Sequence, residues 1–307
     1  KGEKKMVYTI TLNPALDYTI SIKQLILNEI NTSESEEILP GGKGINVSII
    51  LKRLGIDTVT LGFISGFTGE EIKRLIENEK IKTDFIKIKD GNSRINVKIL
   101  EEKRETAINS CGPFLENEYI EKLYQKLENL NKEDILVLSG SIPKGINEDI
   151  YEKICKKVKE KNVKIVVDAT KDLLVNTLKY RPFLVKPNHY ELGEIFNTKI
   201  TNKEQAIDCA KKLQKSGAQN VLVSMGNNGS VLLDENKKIY KKEALQNKTI
   251  INTVGAGDSM VAGFLAGYLK YKNYEDALKL GISSATATVC SKHLGTKEKI
   301  IEYFSGI

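Results

Sequence analysis

Asn252-Thr253-Val254-Gly255-Ala256-Gly257-Asp258-Ser259-Met260-Val261-Ala262-Gly263-Phe264 reads as a short apolar run, a two-glycine turn and a helix that opens on an acid. The turn Gly255, Ala256 and Gly257 can aim several backbone N–H groups into one small space. The helix start adds its own unpaired donors and the positive end of its dipole. Together they make an anion site suited to a phosphoryl group. Asp258 beside such a site is electrostatically out of place unless it takes a proton from a hydroxyl that attacks phosphorus. Helix capping is the plainer alternative, because Asp oxygens commonly satisfy orphan amides. Ala262, Gly263, Ala266 and Gly267 then form a small face that suits close backbone packing, and glycine inside a helix has a packing or functional reason. A carboxylate at a helix start is expected to have a depressed pKa.

Outward from this stretch, strand-like and helix-like segments alternate. Residues 7–12, 58–64, 135–138, 163–168, 183–186 and 221–224 read as strands. Residues 44–54, 70–78, 116–130, 148–161, 203–215, 258–271 and 274–290 carry helical spacing. This order predicts an α/β fold with a mostly parallel central sheet covered by helices on both faces. Ligands of such sheets sit beyond the carboxyl ends of the strands. Residues 14–37 and 91–109 break the pattern with alternating segments, Asp17-Tyr18-Thr19-Ile20-Ser21-Ile22 and Arg94-Ile95-Asn96-Val97-Lys98-Ile99-Leu100. Alternation suits a half-exposed sheet, read here as a small β lid inserted in a main domain of residues 6–13, 38–90 and 110–307. Met6 is expected to be the native start, with residues 1–5 an appended remnant.

The 307 residues suffice for one large domain, and no run of 18 apolar residues points to a membrane span. The net charge of +7 comes from 47 basic and 40 acidic residues, but the lysines are scattered and no basic block interleaves with aromatics. Nucleic acid is therefore not an expected partner. Cys111, Cys155, Cys209 and Cys290 are far apart in sequence and are expected to be reduced core thiols of a cytoplasmic protein.

Other motifs mostly follow strands. Gly41-Gly42-Lys43-Gly44-Ile45-Asn46 precedes a helix and combines close backbone approach with a mobile cation. It is not a P-loop, since Glu37 and Gly44 depart from that pattern. Asn188 and Glu191 stand three apart and read either as a capping box or as hard oxygen ligands that hold Mg²⁺ largely through water. Ser224-Met225-Gly226-Asn227-Asn228-Gly229 reads as a hairpin turn or as a loop along a nucleotide. Ser139-Gly140-Ser141 can offer hydroxyls to a polar substrate. A dinucleotide fingerprint is excluded, because Met260 replaces its third glycine and the motif lies near the C-terminus.

The two glycine signatures, at Gly41–Asn46 and Gly255–Asp258, resemble those of the ribokinase-like (PfkB) sugar kinases. The likeness runs from Met6 through nearly the whole chain. Thr11-Leu12-Asn13-Pro14-Ala15-Leu16-Asp17, Arg94-Ile95-Asn96-Val97-Lys98 and Ser139-Gly140-Ser141-Ile142-Pro143 are similar to the bacterial branch acting on fructose 1-phosphate. The tagatose-6-phosphate branch is a near relative, and tagatose 6-phosphate and fructose 6-phosphate are the alternative acceptors. The resemblance implies a three-layer α/β/α fold with a β lid, ATP and Mg²⁺, and a phosphorylated ketohexose as acceptor. It implies Asp258 as base, with the Gly255, Ala256 and Gly257 amides holding the transferring group. Asp17, Gly41, Gly42 and Asn46 would hold sugar hydroxyls. Lys43 and Arg94 would meet the substrate's phosphate, with Lys98 and Ser141 as further candidates. Lys186, Asn188 and Glu191 would serve ATP phosphates and Mg²⁺, Ser224 to Gly229 the nucleotide, and Ser284 the adenine. It also implies a homodimer through the lid. Two departures stand out: Thr32 replaces an expected arginine, and Ser65 an expected glycine. A nucleotide-binding regulator on the same fold would have lost the base or the anion-site glycines, and this chain keeps both.

Overall fold

A computed structural model describes residues 5–102, 104–246 and 248–306. Residues 1–4 of the expected remnant lie outside the described residues. The chain begins with strands β1 (Val7–Thr11), β2 (Ala15–Ser21) and β3 (Ser35–Gly41), then helix α1 (Lys43–Arg53). Next come β4 (Thr58–Ser65), α2 (Gly66–Asn78), β5 (Lys82–Thr83), β6 (Ile86–Ile88), β7 (Arg94–Leu100) and β8 (Glu105–Asn109). The middle of the chain holds α3 (Asn117–Leu127), β9 (Ile135–Ser139), α4 (Ile150–Val158), β10 (Lys164–Asp168), α5 (Lys171–Val175), β11 (Leu184–Val185) and α6 (His189–Phe196). It ends with α7 (Lys203–Lys215), β12 (Asn220–Ser224), β13 (Ser230–Leu233), β14 (Ile239–Lys242), α8 (Ala256–Tyr271), α9 (Tyr274–Val289) and α10 (Lys297–Ser305).

The main sheet runs β14-β13-β12-β11-β10-β9-β1-β4-β5, with β6 also on β4. It is parallel from β12 to β5, and antiparallel only where β13 and β14 close one end. Parallel strands must be covered on both faces, and the side-chain alternation shows it. Along β9, Leu136 and Leu138 join the core beneath α3 to α7, while Ile135 and Val137 join the core beneath α1, α8, α9 and α10. This is the three-layer arrangement expected from the sequence.

A second sheet, β3-β2-β7-β8, has four strands. Its β3 continues to Gly41, past the boundary at 37 drawn from sequence, because Gly41 still pairs with Ala15. Helix α2 starts at Gly66, a turn ahead of its apolar pattern, since Gly66 and Gly69 read as loop residues in isolation. Helix α10 was not anticipated; it buries Ile300 and Tyr303. Three cysteines are buried as expected, but Cys111 is exposed, in the segment that leaves β8. Among the described residues no helix is long and apolar enough to cross a membrane.

The small face of α8 packs on α9. A Cβ at Gly263 would come within 2.5 Å of the Leu280 carbonyl, and one at Gly267 within 2.7 Å of Ala277 Cα. The helix backbones approach closely because these positions lack side chains. Gly267→Val should therefore overpack the interface and cost roughly 2 kcal/mol. Denaturant unfolding checks this, and an unchanged midpoint would show that the two helices part without cost.

Candidate active site

The parallel strands β1, β9, β10, β11 and β12 end at one edge of the main sheet, and their last or next residues meet there. Asn13, Ser139, Asp168, Lys186 and Ser224 all line a single cleft of about 1100 Å³. The start of α8 forms its floor, and the polar face of the small sheet stands across from it.

Gly255 takes φ +78°, a left-handed conformation that favours glycine, and serves as N-cap of α8. A Cβ there would also strike Leu294 at 2.6 Å. The Ala256 N–H donates within the turn to Thr253 O at 3.3 Å, a long bond. Asp258 is the third residue of α8 and is buried. Its carboxylate does not cap its own helix: Oδ2 accepts from Asn46 Nδ2 on α1 at 2.7 Å. Asn46 comes one turn after Gly42, whose φ of +134° turns the chain from β3 into α1.

Behind Asp258 lies a second buried acid, Asp168, at the end of β10. Lys186 Nζ is 3.1 Å from Asp168 Oδ1, and Lys43 Nζ is 3.7 Å from Asp168 Oδ2. Lys186 also sits against the glycine turn, for a Cβ at Gly257 would be 3.3 Å from its ammonium. Burial works against the charge of Asp168, but Lys186 and then Lys43 hold its pKa below the usual carboxylate value. Asp168 in turn raises that of Lys43, against the opposing effect of burial. Asp258 behaves oppositely. Burial, then the charge of Asp168, pushes it up to about 6, against Lys43, Asn46 and Lys186. The depressed value expected from the helix start is thus overturned: loss of water outweighs a dipole effect confined to the first turn.

The small sheet supplies the opposite wall. Asp17 and Asn96 are register partners on β2 and β7. Asn96 Nδ2 donates to Asp17 Oδ1 at 2.9 Å, and Lys98 Nζ donates to Oδ2 at 3.2 Å. Gly41 gives Asp17 room, since a Cβ there would lie 2.6 Å from Asp17 Oδ1. Arg94, two residues before Asn96, donates through Nη2 to Asn13 O at 2.7 Å, and burial lowers its pKa. Both cations grouped from sequence line the cleft, Lys43 beside Asp168 on the body and Arg94 on the small sheet. Ser141 lines the cleft, whereas Lys98 and Gly41 touch it through Asp17.

At the far end, Asn188 and Glu191 form a capping box on α6. Asn188 Oδ1 accepts from the Tyr190 and Glu191 amides, and Glu191 Oε2 accepts from the Asn188 amide. Both still line the cleft. Ser224, Gly226, Asn227 and Gly229 line it too, in the loop between the antiparallel β12 and β13. Met225 instead points into the core, and Asn228 is exposed away from the lining. Ser284 is not brought to the site either. Its hydroxyl donates to Leu280 O and packs against Gly263 in the α8–α9 contact, while Ala285, Thr286 and Val289 line the cleft from the same helix. Asp168 and Asn96 were missed from sequence. The signals were there: an acid closing a buried strand, and the middle position of an alternating Arg-x-Asn-x-Lys face.

The raised pKa of Asp258 has a consequence for stability. Below about pH 4 the carboxyl is protonated folded and unfolded, and costs nothing. Between pH 3.8 and about 6 the unfolded chain gives up its proton while the folded state still holds it, so stability falls across that window and levels off above it. Two pKa units correspond to roughly 3 kcal/mol. Asp258→Asn should therefore be more stable than the parent at pH 8 by up to that amount, with the gain shrinking toward pH 4. Denaturant midpoints at both pH values test this; an equal gain at both would exclude titration as its cause.

Residues 7–300 match the profile of the pfkB family carbohydrate kinase. The chain is 44% identical over 293 residues to 1-phosphofructokinase of Bacillus subtilis (strain 168), covering 95% of each. It is 35% identical over 303 residues to D-tagatose-1-phosphate kinase of Bacillus licheniformis, covering 98% of each. Its backbone matches Arabidopsis thaliana ribokinase complexed with ribose and ATP at a TM-score of 0.79, over 98% of both chains, at 20% identity, a likeness of fold alone. A glycine turn closing on a buried acid, at strand ends facing a small sheet, thus comes with a match along nearly the whole chain: it belongs to the pfkB family of carbohydrate kinases.

Proposed function

We propose that this chain transfers the γ-phosphoryl group of ATP to the 6-hydroxyl of fructose 1-phosphate, giving fructose 1,6-bisphosphate and ADP. The observation that carries the reading is the buried Asp258 carboxylate, held by Asn46 at 2.7 Å and raised to about 6, at the mouth of a helix N-terminus. A base with that pKa is ionised at neutral pH and is well matched to proton transfer. Asn46 occupies Oδ2, so Oδ1 is the oxygen available to the substrate hydroxyl. The hydroxyl oxygen bonds to the γ-phosphorus, its proton passes to Asp258, and the bond to the bridging oxygen of ADP breaks. Lys186 and the Gly255 and Gly257 amides are assigned to the charge on the transferring group, joined by the Ala256 amide once it leaves its long bond to Thr253 O, in a site where positioning and charge stabilisation do most of the work.

The resemblance to relatives named for fructose 1-phosphate and tagatose 1-phosphate supports a ketose 1-phosphate as acceptor. Arg94 is assigned to its phosphate, and Asp17 to a sugar hydroxyl. Ser224, Gly226, Asn227 and Gly229 are assigned to the nucleotide, and the apolar wall of Ala285 and Val289 to its base. The capping box leaves Glu191 one oxygen free of the cap, which suits a hard cation. Mg²⁺, when bound, would be held by Glu191, and by Asn188 through water, and would neutralise phosphate oxygens.

The small sheet is assigned as a lid over the acceptor, and its outer face as the surface of a homodimer. Register places Ile38, Tyr18, Val97 and Ile108 in one row across the four strands, on the face opposite Asp17 and Asn96. Ile38 and Ile108 are exposed there, and such a patch suits a second copy of the chain. A cytoplasmic location fits the unpaired thiols.

Release of ADP from Mg-ATP with fructose 1-phosphate, fructose 6-phosphate, tagatose 6-phosphate and free fructose tests the reading. Fructose 1-phosphate should lead in kcat/KM by on the order of 100-fold, because a site built for a buried ionic contact strongly rejects ligands that leave it unmade. Such a lead would also show that Thr32 is tolerated. A lead for either 6-phosphate would reverse the assignment of the acceptor.

A further inference from the structure

We propose that Asn96 is a specificity-determining residue of the acceptor subsite, whose side-chain carbonyl accepts a hydrogen bond from a ring hydroxyl of the phosphorylated ketohexose. The inference rests on the reading of the cleft as a sugar-phosphate kinase site and deepens it.

Asp17 Oδ1 lies 2.9 Å from the Asn96 amide. A carboxylate of ordinary ionisation only accepts, so the NH₂ group of Asn96 must be the end that faces it. The carbonyl Oδ1 is then turned the other way. That oxygen is buried and finds no hydrogen-bond partner among the described residues, yet Asn96 lines the cleft. Buried polar atoms in native proteins are nearly always satisfied, so an orphaned acceptor in a cleft marks the place of a ligand donor.

Two other oxygens of the lining, Thr11 Oγ1 and Ser139 Oγ, are equally without a protein partner. Their hydroxyls can rotate to donate or accept, so they do not dictate what the ligand presents. Asn96 does dictate it. A phosphate oxygen cannot satisfy a carbonyl, whereas a sugar hydroxyl can. Along β7 the division of labour is then set by period two: Arg94 offers cationic donors, Asn96 a fixed acceptor, and Lys98 anchors Asp17. Asn96 thereby has two contacts, one to Asp17 and one to the sugar, and they can be separated chemically.

Asn96→Thr keeps a donor for Asp17 and a residue suited to a strand, but removes the carbonyl. Asn96→Ala removes both. Each is compared with the parent in steady-state kinetics, using fructose 1-phosphate and analogues lacking the hydroxyl at C2, C3 or C4. In the parent, loss of one particular hydroxyl should lower kcat/KM about tenfold. kcat/KM for the intact substrate should be about tenfold lower in Asn96→Thr and lower still in Asn96→Ala, and in both loss of that same hydroxyl should have no further effect. The KM for ATP should stay within about twofold. If Asn96→Thr discriminates among the analogues as the parent does, Asn96 merely steadies Asp17 and the proposal falls. Should Asn96→Ala not fold, Asn96→Thr alone decides. If the parent phosphorylates no ketohexose phosphate at all, the kinase assignment itself fails, a result distinct from intact turnover with unchanged discrimination.

Discussion

Two buried carboxylates and two lysines share one end of the main sheet, and the surrounding structure makes sense as the means of keeping them there. Asp168 is satisfied: Lys186 at 3.1 Å and Lys43 at 3.7 Å neutralise it. Asp258 is not, because those lysines are already committed and Asp168 repels it. Its carboxylate accepts from one amide, that of Asn46, and stands on a helix packed closely against its neighbour. The α8–α9 contact is that close because Gly263 and Gly267 lack side chains. Stability is thus given up at the position proposed as the base, a pattern common where function strains a local rule.

The second sheet answers the first. Its strands alternate strictly, so one face carries Asp17, Arg94, Asn96 and Lys98, and the other Tyr18, Ile38, Val97 and Ile108. The polar face closes the cleft with groups that can tell a charged substituent from a neutral hydroxyl. The body brings Lys186 and the glycine turn to the opposite wall of that cleft. On the proposed reading, the small sheet contributes to holding the acceptor, and Asp258 on the body acts on it across the same cleft.

How much of this was legible in the sequence follows from how local each feature is. The Gly255–Asp258 turn, the helix with its small face and the parallel β-α order are written in consecutive residues, and the structure carries them. The pKa of Asp258 was misjudged because the helix dipole is local, whereas burial and Asp168, 90 positions earlier in the chain, are not. Asn96 and Asp168 escaped notice for the same reason, since strand pairing brings Asp17 to Asn96 and Lys186 to Asp168, and the start of α1 brings Lys43. Ser284 failed on phase: on α9 it faces α8, and its neighbour Ala285 faces the cleft. The Asn188–Glu191 pattern had two readings. The cap is formed, and Glu191 retains an oxygen for another role.

The claim at the centre is that Asp258 serves as a base and not as a structural cap. Single-turnover kinetics of Asp258→Asn, with calorimetric titration of Mg-ATP on the same preparation, address it most directly. The account predicts a fall in the rate of phosphoryl transfer of about 10²- to 10⁴-fold, with ATP affinity within about threefold of the parent. Transfer at the parental rate, or ATP binding lost together with turnover, would contradict it and return Asp258 to a structural role.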